Sequence, residues 1–271
     1  MNRRGLINLI QKKKSMLCIG LDTDPKLIPK HLLQEQDPVF SFNKAIIDAT
    51  LDLAVAYKPN IAFYEAQGIA GWKSLERTMQ YLQQFKEEAF TIADAKRGDI
   101  GNTSKMYAKT FFEWLNFDAV TVAPYMGSDS VQPFLEYPGK WVIVLALTSN
   151  KGAADFQYLE ENGKPLYETV ITKASTWGNN ENLMFVTGAT RPEGMEHIRK
   201  MAPEMFFLVP GVGAQGGDVR SICQAAATPF GGLLINSARQ IIYASNGEDF
   251  AVKAREVAMA TREPMISFLN F

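Results

Sequence analysis

The stretch ADAKRGDIGNT, Ala93 to Thr103, places Asp94, Lys96, Arg97 and Asp99 directly behind the apolar run Phe90-Thr91-Ile92-Ala93. A strand that ends in alternating acid and base is not built for packing alone. In an extended run, Asp94 and Lys96 point to the same face. Lys58, in another apolar run over 54–60, joins them if the two runs are neighbouring strands. Opposite charges within ~4–6 Å favour the charged forms, so a Lys–Asp–Lys–Asp set keeps its lysines protonated. A fixed ammonium can steady negative charge developing on a substrate and then supply a proton. Two other readings stand beside this one. The set could be a structural ion-pair cluster, although partly buried networks cost desolvation energy and rarely add stability. The carboxylates could instead hold Mg2+. His31 and His197 are the two histidines, in helical or loop surroundings, so a histidine-rich zinc site is disfavoured. A lysine between the acids supplies the charge a cation would give, and the reading favours no metal. No Ser–His nucleophile arrangement is visible.

The segment GVGAQG (211–216) matches G-x-G-x-x-G. A dinucleotide fingerprint belongs in the first strand–turn–helix unit, with an acid ~20 residues on. Here the segment follows a late apolar run, and the corresponding region reads LLINSARQ, without an acid. Phosphate suits the place better, because glycines let backbone N–H groups approach an anion and a following helix adds its positive end. Arg239 could grip the same phosphate through two parallel hydrogen bonds. The bland alternative is a flexible turn and a surface arginine.

Short β-rich runs alternate with helical patterns along the chain and would position these residues. The runs are MLCIGLD (16–22), 54–60, FTIADAK (90–96), AVTVAP (119–124), WVIVLALTS (141–149), LMFVTGAT (183–190), MFFLVPGVG (205–213) and FGGLLINSA (230–238). Helical spacing appears between them, in SFNKAIIDATLDLAVAY with Ser41 as its expected N-cap, in SLERTMQYLQQFKEEA (74–89), and in the later segments. Eight runs in strand–helix alternation predict parallel pairing, and ~250 residues is the usual size of a (β/α)8 TIM barrel. No linker or repeat divides the chain, so one barrel domain over 1–271 is expected, with a short amphipathic helix at about 3–13 outside it. Chemistry on such barrels sits at the C-terminal strand ends. Those ends carry Asp22, Lys58, Asn60, Asp94, Lys96, Thr148, Ser149, Gln215 and Arg239.

With 28 Lys+Arg against 29 Asp+Glu, the chain lacks the basic excess of a nucleic-acid or membrane-surface binder. No apolar run approaches the ~20 residues of a spanning helix. The first residues lack the continuous apolar core of a secretory signal. Cys18 and Cys223 sit far apart in apolar contexts, suiting buried thiols in a reducing cytoplasm.

DAKRGDI carries the D-x-K-x-x-D signature and resembles the orotidine 5′-phosphate decarboxylase family, in its longer-chain branch. The likeness extends through GLD at 20–22, YKPN at 57–60, DIGNT at 99–103, TSNKG at 148–152, PGVGAQGGD at 210–218 and SARQIIYA at 237–244, in the family's order. The resemblance implies a cofactor-free and metal-free decarboxylase that makes UMP from orotidine 5′-phosphate in cytoplasmic pyrimidine biosynthesis. It assigns Lys96 to protonating C6 of the pyrimidine, with Lys58, Asp94 and Asp99 completing the charged network. Asp99 and Thr103 would enter the neighbouring subunit's site, so a homodimer with shared sites is implied. Asp22 and Asn60 would meet the ribose, Ser149 the pyrimidine edge, and Pro210, Gly211, Gln215 and Arg239 the base and phosphate. Gly101 stands where many members have proline, and Ala238 where many have glycine. The segment 153–181 is longer than in compact members, and a lid over the phosphate is one role for it. The rivals are a related barrel, Mg-dependent 3-keto-gulonate 6-phosphate decarboxylase, and a non-catalytic phosphate-ligand sensor.

Overall fold

Each apolar run becomes a short strand: β1 (Leu17–Leu21), β2 (Ala56–Pro59), β3 (Phe90–Arg97), β4 (Ala119–Val122), β5 (Trp141–Leu147), β6 (Leu183–Thr187), β7 (Phe206–Val209) and β8 (Leu233–Ser237). In this computed structural model, which describes residues 1–188, 192–211 and 218–269, they close in the order β1-β8-β7-β6-β5-β4-β3-β2. Every pairing around the ring is parallel, which makes a closed (β/α)8 barrel. Strands β1, β2, β4, β6, β7 and β8 are buried along their whole length. Parallel strands covered on both faces read as continuous apolar runs without alternation.

The outer helices are α2 (Pro38–Thr50), α3 (Ile61–Glu65), α4 (Gly68–Gln83), α5 (Gly101–Lys109), α6 (Ser128–Leu135), α7 (Leu166–Ala174), α8 (Pro192–Met201), α9 (Val219–Ala226), α10 (Arg239–Ile242) and α11 (Phe250–Ile266), preceded by α1 (Arg3–Lys13). Ser41 does not cap α2. The Asp37 carboxylate accepts from Phe40 N at 3.0 Å, and Pro38 follows with its fixed φ, so the helix starts one turn earlier. The helix expected over 74–89 likewise starts and ends earlier, as α4.

Helix α1 crosses the N-terminal end of the barrel. Asn2 caps it through Gly5 N, and Lys14 ends it in the left-handed region at φ 47°. The Lys13 ammonium donates to the carbonyls of Leu51, Ala54 and Glu88, and Arg3 to those of Asn180 and Glu204. Arg199 repeats the device beneath β7 and β8: it lies 3.7 Å over the Phe207 ring and donates to the carbonyls of Ala202, Met205, Ala226 and Gly232. Buried and half-buried cations therefore satisfy carbonyls that precede several strands. Among the described residues, no helix is long and apolar enough to cross a membrane.

Candidate active site

At the C-terminal mouth of the barrel, β3 leaves the regular ladder. Ala93 pairs with Val120 and Arg97 with Val122, so Asp94, Ala95 and Lys96 lie opposite the single residue Thr121. Lys96 sits at φ +46° within this excursion. A non-glycine residue held there costs of order 1–3 kcal/mol and clusters at functional sites. Asp94 and Lys96 do meet, at 2.5 Å between Lys96 Nζ and Asp94 Oδ1, but the bulge brings them together rather than the regular alternation expected from their spacing.

Asp94 is the hub. Its Oδ2 accepts from Lys58 Nζ at 2.7 Å, and its Oδ1 accepts from Lys96 and from the Thr121 hydroxyl at 3.2 Å. Burial alone would raise the Asp94 carboxyl, but Lys58 and Lys96 overcome it and hold the group well below the usual carboxylate range. Burial pulls the Lys58 ammonium down, and the nearby Asp94 and Asp22 carboxylates more than offset this, leaving it above the ordinary lysine value. Lys58 is buried while the Lys96 side chain is about half exposed, 53%. The inner lysine is thus a fixed counter-charge, and the outer one faces the mouth.

Asp22 follows β1 and keeps Oδ1 buried without a protein partner, a carboxylate oxygen free to accept from a ligand. Its backbone is held by Tyr243, whose hydroxyl donates to Asp22 O at 3.0 Å and accepts from Asp24 N at 2.7 Å. Behind it, Thr23, Asn43, Tyr64 and Thr78 form a buried hydrogen-bonded set that ends on Leu21 O. Asn60 bridges to Asp94 in parallel register. Below the network lies Cys18, its thiol pushed up to about 12 by burial, so it stays neutral; Cys223 is also free and buried.

Asp99 stands apart from this cluster. Its Oδ1 accepts from Ile100 N at 2.7 Å, and it makes no ion pair with Lys96 among the described residues. Within one chain, therefore, an acid lies between two lysines, not a lysine between two acids. Thr103 is exposed. Arg97 turns outward to pair with Glu65 and lies over the rings of Tyr107 and Phe111. Gly101 has φ +52°, which proline cannot adopt with its φ near −65°.

Ser149 follows β5, half-buried, where a Cβ on Gly188 would come within 2.9 Å of Ser149 N. The adjacent Thr148 is clamped by Gln157: Thr148 N donates to Oε1 and Nε2 donates to the Thr148 hydroxyl, both at 2.8 Å. Gln157 belongs to the long insertion, which contains a small hairpin pairing Glu160–Glu161 with Lys164–Pro165 and leads into α7. Arg239 is exposed at the start of α10. Ala238 beside it fills space vacated by Gly20, where a Cβ would lie 2.6 Å from the Ala238 methyl. Pro210 and Gly211 follow β7 half-buried, Gly211 at φ +92°. Gln215 and most of the GVGAQG loop lie outside the described residues. No group of three or more His, Cys, Asp or Glu side chains among the described residues could hold a metal ion.

Thr121, Gln157 and Tyr243 join the site without a chemical signal of their own in the sequence. Thr121 and Tyr243 sit in apolar runs and read as core. Gln157 carried no signal beyond lying just past TSNKG.

Residues 15–254 match the model of the orotidine 5′-phosphate decarboxylase / HUMPS family. The chain is 59% identical over 270 residues to an orotidine 5′-phosphate decarboxylase of Christiangramia forsetii, covering all of this chain and 99% of that one. It is 57% identical over 266 residues to the enzyme of the same name from Phocaeicola vulgatus, covering 98% of each. The solved OMP decarboxylase of Leishmania donovani superposes with a TM-score of 0.81 at 37% identity, over 97% of this chain and 100% of that one.

Proposed function

The chain belongs to the orotidine 5′-phosphate decarboxylase family, and on that premise we propose that it converts orotidine 5′-phosphate to UMP and CO2 with Lys96 as the proton donor. The observation that carries the mechanism is the Lys58–Asp94–Lys96 chain of contacts at the barrel mouth. Loss of CO2 from C6 leaves an electron pair in an sp2 orbital that the ring delocalises poorly. Fixed charge must steady it, and preorganised groups do this without reorganising during the reaction. The Lys96 ammonium, held by Asp94, then transfers its proton to C6. Lys58 keeps Asp94 ionised in its buried place. The reaction needs no cofactor on this reading.

The family resemblance supplies the remaining roles. Asp22, with its free buried oxygen, and Asn60 bind the ribose. Ser149 reads the pyrimidine edge. Pro210, Gly211, Gln215 and Arg239 take the base and phosphate, with Arg239 exposed and without an ion pair among the described residues. Phosphate binding far from C6 can drive closure of the surrounding loops. The insertion after β5 is the lid in this scheme. Asp99 and Thr103, outside their own chain's cluster, serve the site of a second copy, so the working form is a homodimer. The free buried thiols suit a cytoplasmic setting.

The test is ultraviolet absorbance on orotidine 5′-phosphate, with and without EDTA, for wild type and Lys96→Ala. Turnover that survives chelation and nearly vanishes in the variant supports the reading. Near-normal turnover by Lys96→Ala defeats it, and chelator-sensitive activity points to the Mg-dependent relative. A ligand left unaltered by the wild type would favour a sensor.

A further inference from the structure

We propose that Thr121 is a positioning residue for the reaction, its hydroxyl holding both the bulged backbone of Lys96 and the carboxylate of Asp94 in working geometry. The inference rests on the reading of Lys96 as proton donor. It starts from the mismatch between β3 and β4. Three residues on one side face one on the other, so the ladder cannot supply partners for the backbone groups within the excursion. Thr121 replaces the missing ladder bond: its Oγ1 accepts from Lys96 N at 2.9 Å. The same hydroxyl has one proton to give. Its nearest acceptor is Asp94 Oδ1 at 3.2 Å, ahead of Ala93 O at 3.5 Å, and a carboxylate is the stronger acceptor.

One buried atom thus touches the main chain of the proton donor and the side chain of its counter-ion. Asp94 Oδ1 is also the oxygen that binds Lys96 Nζ, so backbone, hydroxyl, carboxylate and ammonium form a closed circuit. Thr121 is 1% exposed, so water has no ready access to replace the hydroxyl. Lys96 has a left-handed backbone and a half-exposed side chain, so little else fixes its direction. Without the hydroxyl, its N–H loses this partner and the excursion relaxes toward an ordinary strand, swinging the ammonium off the reacting carbon. Substrate binding at the phosphate and ribose does not depend on this circuit.

The experiment compares Thr121→Val, which keeps the shape and removes the hydroxyl, with Thr121→Ser, which keeps the hydroxyl. Steady-state kinetics on orotidine 5′-phosphate and the affinity for UMP are measured on each, alongside thermal unfolding. The expected result is a kcat lower by about 30- to 100-fold in Thr121→Val, with KM and UMP affinity within about threefold of wild type, and recovery of kcat to within about threefold in Thr121→Ser. A valine variant that turns over like an active wild type overturns the proposal. So does a serine variant as slow as the valine one, since the methyl packing would then be what matters. Equal losses in kcat and UMP affinity would signal a general collapse of the mouth and overturn it too. An inactive wild type is a different result: it removes the decarboxylase reading itself.

Discussion

Replacing Asp94 with asparagine removes the acid that lies between two lysines and strands Lys58. The two groups lie 2.7 Å apart, with side-chain exposures of 4% and 11%, so water screens them little. Unit charges at that distance attract by roughly 6 kcal/mol at an effective dielectric of ~20. Desolvation offsets most of that in the intact pair, whereas deleting one partner of a buried pair costs about 3–5 kcal/mol. A second limit agrees. The stranded ammonium can shed its proton, and from an unfolded value of ~10.4 this costs at most about 4.6 kcal/mol at pH 7. Asp22 remains nearby as a weaker partner, so Asp94→Asn should lose about 3 kcal/mol, or about 5–6 °C in Tm. The pH slope is diagnostic. In the wild type the Lys58 value is raised and the Asp94 value lowered, so both contributions are fully present from about pH 4 to pH 10. In the variant the folded Lys58 value falls below the unfolded one. The unfolded chain then binds more protons up to about pH 10.4, and stability climbs with pH over that interval. Urea unfolding from pH 6 to 10 measures both effects. A variant as stable as wild type at pH 7, with no rise toward pH 10, would refute the account of the pair.

Arg239→Ala should weaken UMP binding at least tenfold, since charge-assisted hydrogen bonds contribute about 1.5–3 kcal/mol each, and leave uridine binding almost unchanged; calorimetry showing equal losses would move the phosphate elsewhere. Mixed Lys96→Ala and Asp99→Ala subunits should regain part of the activity that each lacks alone, whereas heterodimers that stay inactive would contradict shared sites. Gln157→Ala removes two hydrogen bonds to Thr148, roughly 2 kcal/mol, and should speed hydrogen exchange at Leu166 and Tyr167, whose amides bond to Leu159 O and Gln157 O. Unchanged exchange there would show that the insertion is held by other contacts.

The barrel was legible because parallel strands covered on both faces leave eight apolar runs, and the strand ends could be read directly from where polar residues interrupt them. Asp22, Lys58, Asp94 and Lys96 converge for that reason. What the pattern could not convey was departure from regular geometry. A period of two assumes an unbroken strand, yet residues 94–96 bulge, and only the bulge gives Thr121 its place. In AVTVAP, Thr121 reads as a β-branched core residue. Ser41 looked like a cap because Pro38 and Asp37 lie outside the helical periodicity that they start. The separation of Asp99 from Lys96 arises because the chain leaves β3 at Arg97 and the Asp99 carboxylate accepts from Ile100 N, at the start of α5, which spacing along the chain does not reveal.

The helix beneath the barrel carries a consequence for synthesis. Arg3 and its acceptor on Glu204 are 201 residues apart, and Ile10 packs where a Cβ on Gly231 would lie 3.0 Å away. At ~5–20 residues per second, a ribosome exposes the apolar face of this amphipathic helix roughly 10–40 s before its seat beside Glu204 and Gly231 exists. Strand β1 waits as long for β8. This segment, made well before β7 and β8, is therefore among the last to dock, and during that interval a nascent-chain chaperone has a defined target in Leu6, Leu9 and Ile10, which the finished protein hides completely or nearly so.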